Sequence, residues 1–155
     1  MKFSSKEDIE APIGEVFAML SDFEAYERSA IRRGIEVQRV TDTPPGTPDV
    51  AWDAQFMLRG KQRDVKLHLA QYEPPNAMRF EAVSQGLEGT LTLDLLALSP
   101  GRTRMAVALN LAPKTLSARL LVQSLKLAKS NLSKRFRGKV TAYAKQLEDR
   151  HSRMA

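Results

Sequence analysis

The chain has 155 residues, 43% hydrophobic and 27% charged, the composition of one globular domain; at that length it can bury roughly 70% of its unfolded surface without a disulfide or structural metal. It contains no cysteine and two histidines, which excludes a disulfide scaffold, a thiol nucleophile, thiolate metal sites and any centre built on several imidazoles; no cofactor is expected. The net charge of +6 is uneven: residues 1–112 carry 13 basic and 16 acidic side chains, whereas residues 113–155 carry 11 basic and 2 acidic ones, so a mildly acidic body precedes a strongly basic end.

The first residues, Met1 to Asp8, lack the apolar core of a signal peptide, and a cytoplasmic protein is expected. Phe3, Ser5, Glu7 and Ile9 alternate with Ser4, Lys6, Asp8 and Glu10 up to Ala11-Pro12, a strand stopped by proline. From Pro12 the period becomes helical, with Ile13, Val16, Phe17, Leu20 and Phe23 three or four apart. Asp22 is placed to cap a second short helix containing Tyr26 and Ile31 and ended by Gly34. After Gly34 the period is two: strands are expected near 35–40, 50–59, 64–72, 78–84, 89–99 and 103–111. The separators Gly60-Lys61, Glu73-Pro74-Pro75-Asn76, Gln85-Gly86 and Pro100-Gly101 are turn chemistry, and connections this short imply antiparallel pairing.

Beyond Pro113 an apolar stripe runs through Leu121, Leu125, Ala128, Leu132, Phe136, Val140, Tyr143 and Leu147. A continuous helix over that span would be on the order of 50 Å long at 1.5 Å per residue, with a bend expected at Gly138 and fraying from residue 151. The stretch 109–132 is interrupted by Lys114, Arg119, Lys126 and Lys129, so no membrane span is expected. The whole is an α+β domain, residues 1–155, whose curved antiparallel sheet buries one face against the last helix.

The segment Ile9-Glu10-Ala11-Pro12-Ile13-Gly14-Glu15-Val16-Phe17, followed by Leu20-Ser21-Asp22-Phe23-Glu24-Ala25-Tyr26, resembles the opening strand, Ala-Pro turn, helix and Asp-Phe-x-x-Tyr junction of the START-like, polyketide cyclase/dehydrase and lipid-transport superfamily. Many members have a tryptophan shortly after that tyrosine, where this chain has Glu27-Arg28-Ser29-Ala30. The resemblance implies a helix-grip fold with an apolar cavity between sheet and C-terminal helix. Period-two alternation then puts Trp52, Phe56, Leu67, Leu69, Phe80, Leu91, Leu93, Val107 and Leu109 on the inner face, opposite Leu121, Leu125 and Leu132 of the helix. The competing reading is that these side chains fill the core completely.

The strand residues Asp53, Gln55, Glu81, Asp94 and Asn110 fall on the opposite, solvated face, and so does His68 with Lys66 and Ala70. Glu7 shares parity with Phe3 and Ile9, although an exposed strand-end charge is the simpler reading. No residue is assigned as catalytic or as a metal ligand. Lys114, Arg119, Lys126, Lys129, Lys134, Arg135, Arg137, Lys139 and Lys145 precede any acidic residue of the last element, with Lys126, Lys129, Lys134, Arg135, Arg137 and Lys139 its densest part. Such a face is either solvated and balanced by the acidic body, or meets an anionic membrane, or meets nucleic acid. The last is least supported, because Phe136 and Tyr143 belong to the apolar stripe.

Three functions follow. The first is binding or carriage of a hydrophobic small molecule such as a lipid, isoprenoid quinone or polyketide. The second is a cyclase/dehydratase-type enzyme, which needs a convergent acid and base in the cavity. The third is an interaction module working through the basic helix.

Overall fold

In the computed structural model, which describes residues 1–154, strand β1 (Lys2–Ile9) ends at a turn where the Pro12 carbonyl accepts the first helical bond from Val16 N at 3.0 Å and opens α1 (Ile13–Leu20). Asp22 caps α2 (Phe23–Arg32), accepting from Ala25 N at 3.3 Å. Gly34, at φ +80°, then turns the chain into β2 (Glu36–Val40). Strands β3 (Ala51–Leu58), β4 (Lys61–Glu73), β5 (Ala77–Ser84), β6 (Leu87–Ser99) and β7 (Arg102–Pro113) follow as a meander. All seven strands form one antiparallel sheet in the order β1-β7-β6-β5-β4-β3-β2, so α1 and α2 carry the chain from one edge to the other. This is the helix-grip arrangement expected from the resemblance.

Two hairpins turn on paired residues in the left-handed region, Arg59-Gly60 (φ +53° and +74°) and Gln85-Gly86 (φ +48° and +83°), the turn twist that suits right-twisted strands. The first corrects the expected turn at Gly60-Lys61. Because Arg59 and Gly60 make it, β4 begins at Lys61 rather than Asp64, and Lys61 and Arg63 become strand residues on the face of Val65 and Leu67. Gly86 has a second constraint: a Cβ there would lie 2.4 Å from Thr115 Oγ1. Thr115 caps α3 (Leu116–Lys126), accepting from Ala118 N at 3.2 Å, so the β5–β6 hairpin tip seats the start of that helix.

The expected single long helix is two helices. α3 ends at Leu127, Ala128 N bonds back to Leu125 O at 3.0 Å, and α4 (Lys129–Met154) begins beyond it; Gly138 lies inside α4 with no break. The reason is docking: α3 buries Ala118 and Val122 beside β7, whereas α4 buries Val140, Ala144 and Leu147 along β1 and α1, and one straight rod cannot follow both parts of a curved sheet. Residues 151–154, where fraying is expected, are drawn into the helix. α4 is helical through Met154, and His151 Nδ1 sits against the Glu15 carboxylate, tying the helix end to α1; Ala155 lies outside the described residues.

The closed core gathers Ile9, Val16, Leu20, Leu69, Met78, Met105 and Leu147 beneath α1 and the C-terminal half of α4. Thr103, its one buried polar residue among those described, donates to the Ala11 carbonyl at 2.8 Å and pins the proline turn to β7. Gly138 is exposed in mid-helix, and a Cβ there meets nothing within 4 Å. Gly138→Ala is therefore expected to raise stability by about 1 kcal/mol, read as a midpoint shift of about 2–4 °C in thermal denaturation.

Candidate ligand-binding cavity

The remainder of the inner sheet face is not filled. Ala54, Ala82 and Gly89 stand where neighbouring strands carry large side chains, and the small residues leave a cavity of about 630 Å³ between sheet, α2 and α4. That volume is within the range of small-molecule sites. Its walls are Trp52, Phe56, Val65, Leu67, Phe80, Leu91, Leu93, Met105, Val107, Leu109 and Leu111 from the strands, with Phe136, Val140 and Tyr143 from α4. One end is an aromatic cluster, with Trp52 and Phe80 ring centres 6.2 Å apart and Tyr26 edge-on to Phe80 at 6.5 Å. Toward α3 the cavity meets a second chamber of about 380 Å³, and Phe56, Val65, Ala82, Gly89 and Leu111 line both, forming a waist.

Of the residues expected to face the wedge, Trp52, Phe56, Leu67, Phe80, Leu91, Leu93, Val107 and Leu109 line the main chamber. Leu69 shares their face but lies further along β4, packed into the closed core. Leu121 lines the second chamber, while Leu125 and Leu132 line neither, because the break at Leu127 turns α3 away from the axis of α4. Asp53, Gln55, Asp94 and Asn110 are exposed on the outer face. His68 is also outside the cavity, half-buried with Nε2 3.6 Å from Glu81 Oε2. Glu7 accepts a hydrogen bond from the Thr141 hydroxyl of α4.

The polar groups that α2 and α4 bring to the main chamber, Tyr26, Glu27, Lys139 and Tyr143, are absent from the set expected on sequence grounds. The signal available is the α2 spacing of Phe23, Tyr26, Glu27 and Ala30, which puts Glu27 on the sheet-facing side. Glu27 Oε2 accepts from Trp52 Nε1 and from Arg39 Nε, both at 2.8 Å, and the Arg39 guanidinium carbon lies 5.7 Å from the Trp52 ring centre. Burial pushes the Glu27 carboxyl up, but the hydrogen bonds from Arg39 and Trp52 and the charges of Arg39 and Arg28 outweigh it, and the group sits below the usual glutamate range. Burial pushes the Tyr26 phenol well up and that of Tyr143 up, and the Tyr26 hydroxyl donates to the Leu20 carbonyl.

Glu27 makes a pH prediction. A carboxyl held low in the folded state contributes stability that is complete above its ordinary pKa and is lost as pH falls through the folded value. Trp52 is the chain's only tryptophan, so its emission reports this bond. Acid titration of the fluorescence is expected to show a transition below the ordinary glutamate range that disappears in Glu27→Gln.

Around the second chamber the surface changes character. On α3 Leu116, Leu120 and Leu127 are 74%, 58% and 92% exposed and fall on one helical face. Lys114, Arg119, Lys126 and Lys129 flank them. Two cations of the basic run have partners: Lys114 lies 3.9 Å from Glu88, and Lys145 lies 3.8 Å from Glu148 and 3.5 Å from Asp149. Among the described residues, Lys126, Lys129, Lys134, Arg135, Arg137 and Lys139 make no ion pair. Among those residues, too, no helix is long and apolar enough to cross a membrane.

No protein-family model matches the chain, and no curated protein matches it in sequence. Solved structures do resemble it. An aromatase/cyclase, Zhui, from Streptomyces sp. R1128 aligns over 94% of each chain with a TM-score of 0.62 and 12% identity. A protein from Thermus thermophilus aligns over 97% of this chain and 96% of its own, with a TM-score of 0.60 and 16% identity. A START superfamily protein from Mycobacterium smegmatis aligns over 86% of this chain and 95% of its own, with a TM-score of 0.54 and 14% identity. At these identities the likeness is one of fold, the helix grip.

Proposed function

We propose that this helix-grip chain is a binding or carrier protein for a hydrophobic small molecule of the lipid, isoprenoid quinone or polyketide kind, held between sheet and α4. The observation that supports this reading is the cavity of about 630 Å³ whose wall is apolar almost throughout. The polar groups at its α2 end serve the scaffold rather than chemistry. The Glu27 carboxylate is held by Trp52 and Arg39, and the Tyr26 hydroxyl is committed to the Leu20 carbonyl. Burial raises both phenols further above their ordinary range, so both stay protonated at neutral pH and are poor bases. The cyclase/dehydratase reading has the fold likeness to Zhui in its favour; against it, Glu27 and Tyr26 are held by the scaffold, and Lys139 and Tyr143 lie one turn apart on α4 rather than facing each other across the chamber.

The exchange site in this reading is an anionic membrane. An exposed leucine stripe on a helix bordered by cations is the pattern of a segment lying in a lipid interface, where each nearby Lys or Arg contributes about 1 kcal/mol. α3 carries that stripe directly over the second chamber, which Leu121 and Ala118 line from below. The outward aromatics that stacking on nucleic acid needs are missing from this face, since Phe136 and Tyr143 line the cavity. A cytoplasmic carrier meeting the anionic inner leaflet is the setting that suits this pattern.

The test is binding. Native mass spectrometry of protein purified from its source is expected to show a single added small molecule. Nile red, a neutral apolar dye, is expected to bind at one to one, change Trp52 emission and be displaced by long-chain alcohols. Absence of both added mass and dye binding would count against the proposal.

A further inference from the structure

We infer that the ligand is an amphiphile with one anionic head group, its apolar body in the main chamber and its head bound by Arg63 in the smaller chamber beneath α3. The inference rests on the binding reading above and adds the chemical class of the ligand. Arg63 shares the inner face of β4 with Val65 and Leu67, and it lines the smaller chamber. Its Nε is buried and has no hydrogen-bond partner, and among the described residues no carboxylate comes within ion-pair distance of its guanidinium. The other buried arginine Nε without a hydrogen-bond partner, that of Arg79, lies 3.3 Å from Glu81 Oε1, so its charge is met within the protein.

A guanidinium cannot shed its proton to escape burial, and a buried donor left unpaired is destabilising, so the missing acceptor is best supplied from outside. The planar fork fits a carboxylate or phosphate through two parallel hydrogen bonds. The surroundings agree: Lys61, Ser84, Gln85 and Ser117 also line this chamber, whereas the strand walls of the main one are apolar and its polar groups come from α2 and α4. Phe56, Val65 and Gly89 line both chambers, so the two adjoin there, and a molecule with its chain among the leucines and its head at Arg63 would cross at these residues. The Arg59 guanidinium donates to Ser124 Oγ, clasping the β3–β4 turn to α3.

Three probes with one tail separate the possibilities: dodecanol, lauric acid and dodecyl phosphate, each displacing Nile red from wild-type protein and from Arg63→Met and Arg63→Lys. The expected result is that at least one anion displaces the dye from wild type at a concentration about tenfold or more below dodecanol, and the better of the two anions identifies the head group. Arg63→Met is expected to bring anions and alcohol within about twofold of each other by weakening the anions, and continued displacement of Nile red by dodecanol shows that the variant is folded. Arg63→Lys keeps part of the preference, as a point charge without the fork. Equal affinity of all three probes for wild type, or a preference that survives Arg63→Met, overturns the inference while leaving the binding reading standing. If neither dye nor probes bind, the binding reading falls and this inference with it.

Discussion

Gly89→Leu combined with Ala82→Leu is expected to abolish binding of apolar ligands while leaving the fold intact. The two residues face each other across β5 and β6, and both stand at the waist between the chambers. A Cβ on Gly89 would lie 3.5 Å from Leu111 Cδ2 and 3.9 Å from Ala82 Cβ, ordinary contact distances, and Gly89 has no left-handed φ, so the backbone accepts a side chain there. The added leucines fill space that a ligand would occupy, and protein interiors are too incompressible for both to fit. Affinity for Nile red and dodecanol should fall by about 100-fold or more, about 2.7 kcal/mol. The thermal midpoint should hold or rise, because the new side chains bury apolar surface in contact with Leu111, at about 25 cal/mol per Å². Affinity within about threefold of wild type would mean that the ligand sits elsewhere.

That a cavity exists at all is hard to read from residues, because it is made of missing volume. Period-two alternation on β3 to β7 points Trp52, Leu67, Phe80, Leu91 and Leu109 to one face, and they share the cavity wall for the reason that strands alternate. Alternation cannot tell the covered part of that face from the open part. Leu69 and Leu67 have the same parity, but only Leu69 lies in the closed core. Nor does it weight the alanines and glycine that keep the wedge open, which score as weak strand positions rather than as architecture.

Two other features are illegible for separate physical reasons. Val122 and Val140 are buried in different helices, yet their separation is about five turns of an ideal helix, so the stripe stays in phase across the break at Leu127 and no lapse in period marks it. A turn that starts at the glycine of position 60 keeps Arg63 out of the strand. With Arg59 at a positive φ the turn comes one residue sooner, the strand starts earlier and the arginine falls on the inner face. The basic end is legible as composition, but its division into paired cations and a free set flanking exposed leucines needs the third dimension.

Leu120→Asp combined with Leu127→Asp is expected to remove binding to anionic vesicles almost completely while dye binding in the cavity is retained. Full burial of a leucine contributes about 1.5–3 kcal/mol, and an interfacial helix gains a good part of that for each side chain it inserts. Both leucines are largely exposed in the free protein, so little core packing is lost; the cost to stability is the helix propensity of aspartate, about 0.5 kcal/mol each. The two new negative charges also cancel attraction contributed by Lys126 and Lys129 beside them, about 1 kcal/mol per charge. The terms together predict a loss of about 100-fold or more in partition to vesicles containing phosphatidylserine, measured by co-sedimentation. Wild-type binding itself should weaken between about 0.1 M and 0.5 M salt, as the screening length shortens from about 10 Å, while the leucine contribution persists. Lys134→Glu with Arg135→Glu provides the contrast, since both lie on α4 away from the leucine stripe. If the α4 pair matters more than the α3 pair, the membrane meets the long helix rather than the lid over the second chamber. If the α3 pair dominates, the surface that touches lipid is the one directly above Leu121, and ligand passing between bilayer and cavity has only α3 to cross.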